Sequence, residues 1–375
     1  MDQLIRLIAA WCLVVAAPLV PQAVAANLES GDFTFEDVFS TRSQTERFSL
    51  HGYAAFQYFD SQGSPPGGNG SFDQHIFEPF FGYQVNERVF TKLIIEFEHA
   101  PERVDDDQFA EIFIEQAEID VTPWDGTTLA FGAILVPFGL ENYFHAPSDN
   151  QLVTRPPIVK AGANGNSILN NTWTDVGIQL IQQLERVGSL DVYVINGSAV
   201  QGRDTRGRDT TGPNANSGKS LGAELQITEL YPGLNVGLSY VAGPHDPVNQ
   251  MTSFRWGLHA LLEHDAFLFQ AEYLVGTDEG LGTATADREV SGYYLVGSVQ
   301  PALPVLGKHL DLSVRYTDWT ADDDAGNDFS DLAFGFRWLI AANTWFKGEY
   351  QINREDGANT EIDNNLVGIQ LSVLF

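Results

Sequence analysis

Residues 364–375 read NNLVGIQLSVLF. Val367, Ile369, Leu371, Val373 and Phe375 are apolar at every second position, and Gly368, Gln370 and Ser372 fill the alternate ones. An extended chain sends successive side chains to opposite faces. The segment is therefore a strand with one greasy side and one wetter side, and it carries the sequence to its end on an aromatic residue.

The same period recurs upstream. Strand-like segments fall near 48–59, 72–83, 89–98, 109–122, 127–138, 173–183, 189–196, 219–228, 234–242, 253–263, 267–276, 289–300, 309–318, 329–340, 344–353 and 364–375. Most match the roughly 9–11 residues of a tilted membrane strand. In 253–263, Phe254, Trp256, Leu258, Ala260 and Leu262 oppose Arg255, His259 and Glu263. In 309–318, Leu310, Leu312, Val314 and Tyr316 oppose Asp311, Ser313, Arg315 and Thr317, and 329–340 repeats the pattern. Two segments are poorly phased and leave the strand number open by two. Pro79 in 72–83 cannot donate to a ladder, and in 109–122 Glu111 and Glu115 are out of phase with Glu118 and Asp120.

Connections alternate between short (84–88, 123–126, 185–189, 230–233, 264–266, 301–308, 341–343) and long (60–71, 99–108, 139–172, 197–218, 243–252, 277–288, 319–328, 354–363). Up-and-down membrane barrels have short periplasmic turns and longer extracellular loops. The expected fold is all-β: a transmembrane antiparallel up-and-down β-barrel of about 16 strands spanning 48–375. The competing reading is a soluble β-sandwich or β-solenoid that buries the apolar faces in a core. Phe80, Phe81, Trp173, Tyr293, Tyr294, Trp319, Trp338 and Trp345 are expected in aromatic girdles at the membrane interfaces.

Residues 1–25 read as a signal peptide: Arg6, an apolar run from Leu7 to Val20, then Ala23-Val24-Ala25 before Ala26. Residues 26–47 read as a periplasmic N-terminal tail. Cys12 is the only cysteine and lies in the signal, which leaves no disulfide and no thiol chemistry. With 50 acidic against 20 basic residues and a net charge of −30, nucleic acid is excluded as a partner.

The terminal strand ending on Phe375 resembles those of bacterial outer-membrane barrels. More specifically, GAILVPFGLENYFHAPSDNQLVTRPP (132–157) followed by TWTDVGIQL (172–180) resembles the porin families related to the phosphate-selective porins. The matched residues are Val136, Pro137, Phe138 and Gly139, then Trp173, Asp175 and Gly177, within about an eighth of the chain. The resemblance implies the outer membrane of a Gram-negative bacterium, contact with outer-membrane lipid and lipopolysaccharide, insertion by the barrel-assembly machinery through the C-terminal strand, and a homotrimer. It implies no cofactor.

A barrel of this size leaves an aqueous lumen, and what narrows it sets what passes. Residues 139–172 form the longest connection and include Phe144, Leu152, Val153, Pro156, Pro157, Ile158 and Val159, so the loop is expected to fold inward as the constriction. Its candidate residues are Glu141, His145, Asp149, Arg155 and Lys160; Arg155 and Lys160 either set a transverse field against Glu141 and Asp149 or pair with them to hold the loop. The alternative is a loop that lies over the mouth or against a neighbouring subunit. Lumen-wall candidates are Lys92, Glu96, Arg255, Glu263, Glu272, Asp311, Arg315, Asp331, Arg337, Lys347 and Glu349, joined by Asp191 and Glu224. Acids outnumber bases, so the expected pore prefers cations weakly or is non-selective, against the phosphate selectivity of the resembling families.

No metal site is expected. The acidic runs 105–107 and 322–328 lack EF-hand spacing and read as solvated acids, with divalent bridging to lipopolysaccharide as the unspecific alternative. The polar tract 201–218 reads as a flexible loop. No enzyme motif occurs: there is no G-x-S-x-G elbow and no H-E-x-x-H pair. His145 with Ser148 and Asp149, and His245 with Asp246, are the nearest groupings, and neither has a spacing that fixes geometry. A hydrolase and a non-conducting surface barrel remain the alternatives from other classes.

Overall fold

The computed structural model describes residues 47–62, 70–105, 108–159, 168–169, 172–185, 187–197, 218–245, 249–280, 286–301, 310–322, 327–357 and 363–375. The expected signal (1–25), the expected tail (26–47) but for Arg47, Lys160, most of the 201–218 tract and Asp246 lie outside them.

Sixteen strands run in chain order: β1 Phe48–Ser61, β2 Ser71–Asn86, β3 Val89–Asp105, β4 Gln108–Trp124, β5 Thr127–Leu135, β6 Thr174–Leu184, β7 Gly188–Ile195, β8 Ser220–Tyr231, β9 Leu234–Pro244, β10 Thr252–His264, β11 Phe267–Asp278, β12 Arg288–Val299, β13 Leu310–Asp322, β14 Asn327–Ala341, β15 Thr344–Gly357 and β16 Leu366–Leu374. Each pairs antiparallel with its chain neighbours, and β1 pairs with β16 to close the barrel. The closing register runs from Tyr53↔Leu374 to Ser61↔Leu366. Closure leaves no edge, so every strand's backbone has a partner on both sides. No helix among the described residues is long and apolar enough to cross a membrane.

The faces are reversed relative to a soluble sheet protein. Exposed large side chains are apolar, among them Ile112, Ile119, Phe131, Leu238, Leu258, Tyr273, Leu312, Phe334, Val367, Ile369 and Leu371. Buried positions on the other phase are polar: Glu78, Glu118, Asp191, Glu224, Arg255, Gln270, Glu272, Arg315, Asp331, Lys347 and Glu349. A sandwich would place these the other way round. The apolar exterior and polar interior are what a hydrocarbon surround selects.

Both poorly phased segments are strands, and each irregularity has a local cause. In β4 the partner of Ile94 is Gln116 and that of Ile95 is Ile114, so Glu115 is an inserted residue. This β-bulge turns Glu115 and Gln116 to the same buried side, with Ile112 and Ile114 outward before it and Ile119 outward after it. The clash of parity in the sequence is that extra residue. In β2, Pro79 pairs with Gly52 of β1, while the ladder to β3 is interrupted at Glu78 and Pro79 between Phe77↔Phe97 and Phe80↔Ile94. The residue without an N–H sits where no bond is required of it.

Some boundaries differ from the sequence reading. The long connection expected at 99–108 is taken up by strand: β3 runs to Asp105 and β4 starts at Gln108. The connection expected at 319–328 shrinks to 323–326, and the turn expected at 301–308 spans 300–309. At the β3–β4 and β13–β14 ends the polar, charged sequence continues the ladder, because backbone pairing to an existing neighbour strand outweighs weak local propensity. Strand β5 stops at Leu135 instead of residue 138, ahead of Pro137. The aromatic expectation is also corrected. Trp173, Tyr294, Trp319 and Phe80 are 2, 0, 1 and 8% exposed and pack inside the barrel. Trp319 stacks on Phe329 at 5.2 Å, and Trp173 meets Phe138 at 5.8 Å.

Candidate functional site: the loop across the lumen

The long connection leaves β5 at Val136 and rejoins β6 at Trp173, where the Val136 N–H donates to the Trp173 carbonyl at 2.9 Å. Gly139 makes the turn into the barrel. It adopts φ +72°, and a Cβ there would run into the Glu272 carboxylate, so glycine alone meets both demands. Asn142 locks the root. Its amide Nδ2 donates to the carbonyls of Val136 (2.8 Å) and Trp173 (3.1 Å), and its Oδ1 accepts the Trp173 N–H at 2.7 Å. Asp175 accepts the N–H groups of Val176 and Gly197, each at 2.6 Å, and so ties the return strand to the start of the next connection. Gly177 leaves room for the Val194 carbonyl of β7. The residues of the two recurrent motifs are thus the root of the loop.

From this root the chain lies inside the barrel. Ile158, Val159, Ile168 and Leu169 join Ile134, Phe138, Ile195, Val241, Leu274, Val290 and Tyr294 in one buried apolar cluster. Burial of this kind contributes roughly 25 cal/mol per Å² of apolar surface removed from water and fills part of the lumen on the β5–β14 side. The loop also reaches β13, β14 and β15. Glu349 of β15 accepts the N–H groups of Val153 (2.6 Å) and Thr154 (2.7 Å) and the Thr154 hydroxyl (2.5 Å). Arg315 of β13 donates to the Thr154 carbonyl at 2.6 Å while paired with Asp331 at 2.9 Å. Arg337 of β14 donates to the Ser148 carbonyl at 2.7 Å. Lys347 donates to the carbonyls of Pro147 and Leu152. On β8, β9 and β11, Glu224 accepts the Tyr143 hydroxyl at 2.5 Å, Ser239 Oγ accepts the Gly139 N–H at 3.0 Å, and Glu272 accepts the Glu141 N–H at 3.2 Å.

The candidate residues fall as follows. Glu141 and Arg155 form an ion pair at 3.0 Å, both buried. Asp149 accepts the Ser148 hydroxyl at 3.3 Å. His145 lies with its Nε2 3.5 Å from Glu115 on β4. Among the wall residues, Lys92 pairs with Glu118 at 3.1 Å, and Arg255 makes a bidentate pair with Asp278 at 2.8 and 2.9 Å. Glu96, Glu272, Asp331 and Glu349 are buried inward-facing carboxylates. Arg337 lies 3.9 Å from Asp311. Glu263 is inward in phase and exposed at the short-turn end. Burial pushes the Glu141 and Asp149 carboxyls above the usual carboxylate range, against the pull of Arg155 and Arg337 respectively. Burial, and then the neighbouring Glu224, raises the Tyr143 phenol well above its ordinary value.

The inward bases therefore act as anchors. Arg155, Arg255, Arg315, Arg337 and Lys347 each engage a carboxylate or a loop carbonyl. Glu224 and Asp191, by contrast, are met by neutral groups: Tyr143, Gln226 and Ser239 for the first, Gln179 and Ser189 for the second. Sequence reasoning missed Asn142, Tyr143, Glu115 and Glu78. Glu115 is legible only once the β4 bulge fixes its phase, and Asn142 carries no signal beyond its place in the loop. The His145–Ser148–Asp149 grouping is not assembled: His145 Nδ1 is bonded to the Asn142 carbonyl at 2.7 Å and Nε2 faces Glu115.

No known family model matches the chain. An uncharacterized protein of Aquifex aeolicus is 25% identical over 202 residues, 52% of this chain and 44% of that protein, so the chain spans under half of that relative's length. Among solved structures, OmpF of Salmonella typhi is similar with a TM-score of 0.64, at 12% identity over 88% of this chain and 97% of that one. The outer membrane channel DcaP of Acinetobacter baumannii gives 0.60 at 13% identity, covering 89% and 99%. An anion-selective porin from Comamonas acidovorans gives 0.60 at 10% identity, covering 88% and 99%. At these identities the likeness is one of fold, and the fold is that of outer-membrane porins.

Proposed function

We propose that the chain is an outer-membrane porin, a water-filled channel for passive diffusion of small hydrophilic solutes and ions, without cofactor or covalent chemistry. The reading is carried by one observation: a closed wall, apolar outside and polar inside, is crossed by a buried loop anchored on several strands. That loop, from Val136 to Trp173, is the constriction. Its half-buried residues Tyr143, Phe144, His145, Asp149, Asn150 and Thr154 border the passage. The long connections face the cell exterior and the short turns the periplasm, by analogy with barrels of this type.

Weak cation preference or no selectivity follows from the electrostatics. A pore that selects phosphate presents clustered Arg and Lys to the permeating anion. Here those groups are occupied in holding the loop, while the interior carboxylates outnumber them. A homotrimer is the expected assembly; OmpT of Vibrio cholerae, of similar fold, has been solved in a trimer form.

The test is reconstitution in a planar bilayer. Stepwise conductance with a small cation-directed reversal potential in a salt gradient supports the reading. Chloride- or phosphate-directed reversal overturns the selectivity, and absence of steps replaces the pore with a plugged barrel. Neutralising Arg155 and Lys160 together tests the loop directly: leaving Glu141 without its partner shifts the reversal potential further toward cations.

A further inference from the structure

Three elements meet where the loop crosses to the β2–β4 arc. Glu78 of β2 is fully buried and its Oε2 accepts the Tyr53 hydroxyl at 2.6 Å. Glu115, the bulge residue of β4, is 3% exposed and its Oε1 accepts the Gln116 amide at 3.1 Å. His145 of the loop has a side chain 7% exposed. Its Nδ1 bonds to the Asn142 carbonyl, which can only accept, so Nδ1 carries the proton. One atom of each residue is left over: Glu78 Oε1, Glu115 Oε2 and His145 Nε2 are buried and have no hydrogen-bond partner. A carboxylate oxygen from each glutamate and a ring nitrogen of His145 lie within 4.8 Å of one another. Two carboxyl groups and a ring nitrogen this close, with His145 Nε2 3.5 Å from Glu115 Oε1, repel one another unless a proton or a metal cation sits between them.

We infer that Glu78, Glu115 and His145 form a binding site for a divalent transition-metal ion of the zinc class. The donor set of one imidazole and two carboxylates suits zinc, cobalt or manganese better than calcium or magnesium, which take oxygen alone. The Nδ1–H bond to a carbonyl is the outer-shell contact that fixes ring orientation in metal-bound histidines. Asn142 supplies that carbonyl and is itself pinned to both ends of the loop, so the ring is aimed before a metal arrives. Metal–ligand bonds of about 2.0–2.2 Å draw the three side chains together. Glu96, buried on the intervening strand β3, adds negative charge nearby. The bound ion ties the loop to the β2–β4 arc, separately from the anchors on β13, β14 and β15 supplied by Arg315, Arg337, Lys347 and Glu349. The site stands whether or not the barrel conducts, because binding is read on the purified protein.

The test is titration of the detergent-solubilised, chelator-treated full barrel with Zn2+, followed by calorimetry. A second, half-buried group, Asp73 with His75 and His99, is removed as a competitor in a His75→Ala/His99→Ala variant. One saturable equivalent that survives in that variant and weakens at least tenfold in His145→Ala and in Glu115→Gln supports the site. A second readout needs no further substitution: Cu2+ bound to the His75→Ala/His99→Ala barrel shows nitrogen coupling from one imidazole in its electron paramagnetic resonance spectrum. No saturable binding, binding indifferent to His145→Ala, or a Cu2+ spectrum without imidazole nitrogen overturns it and leaves a proton as the cation between these groups.

Discussion

Asn142 grips Trp173 by both of its backbone groups, accepting its N–H at 2.7 Å and donating to its carbonyl at 3.1 Å. One side chain thereby closes the root of the loop across 31 residues of sequence. Loop closure costs entropy that grows slowly with length, and this clamp, with the Val136 contact, offsets it at a single point.

Replacing Asn142 by Ala removes three hydrogen bonds at that root. At about 1 kcal/mol each, the loop loses on the order of 3 kcal/mol of local stability while the barrel keeps its ladder. The expected outcome is unchanged heat-modifiable migration in gel electrophoresis, faster proteolysis within 139–172 and noisier channel records. Proteolysis at the wild-type rate would show that the clamp is not limiting.

Glu349 holds the far end. Glu349→Ala strands the N–H groups of Val153 and Thr154 and leaves Arg315 with one acid fewer, since Arg315 also lies 3.8 Å from Glu349. Breaking such a buried charged contact costs roughly 2–4 kcal/mol. The loop should swing away from β15, and single-channel conductance should rise several-fold. Equal conductance in variant and wild type would place the narrowest point elsewhere.

Acidification should weaken cation preference early. Burial raises Glu141 and Asp149, so each is protonated below its raised pKa and begins to lose its negative charge above the ordinary carboxylate range. As pH falls, the reversal potential is expected to drift toward zero before exposed acids titrate. In Asp149→Asn the drift should be smaller. An identical pH profile would remove Asp149 from the conducting path.

Barrel closure rests on a close approach. Phe375 exchanges backbone hydrogen bonds with Gly52 at 2.8 Å each way and stacks on Phe77 at 5.5 Å. A Cβ on Gly52 would lie 2.7 Å from the Phe375 ring. Gly52→Val is therefore expected to cost about 1–3 kcal/mol, and Phe375→Ala about 0.5–1.5 kcal/mol from the lost aromatic pair beyond its area. Both should lower the temperature at which the folded band disappears in electrophoresis, Gly52→Val by more.

Much of the fold was legible in one dimension because a strand's period is two and a membrane barrel exposes one phase and hides the other. Phe254, Trp256 and Leu258 against Arg255 and His259, or Val367 to Phe375 against Gln370 and Ser372, are enough to assign inside and outside without any partner strand. The same rule failed in β4, since one inserted residue, Glu115, inverts the phase and nothing local marks it. Trp173, Tyr294 and Trp319 were expected at the lipid interface and lie within, because an aromatic near a strand end reads the same whichever face it occupies. Glu96, Arg255, Glu272, Arg315, Asp331, Lys347 and Glu349 are buried on the phase expected to face inward. Their pairing was not legible: whether Arg315 faces a solute or the Thr154 carbonyl depends on where a loop remote in sequence comes to rest. Local alternation determined the wall and, away from the β4 bulge and the buried aromatics, the side that a strand residue faces. Only the folded chain, by bringing Glu78, Glu115 and His145 together and placing Arg315, Arg337 and Lys347 on loop carbonyls, decided what the interior charges do, since those contacts join residues that no periodicity relates.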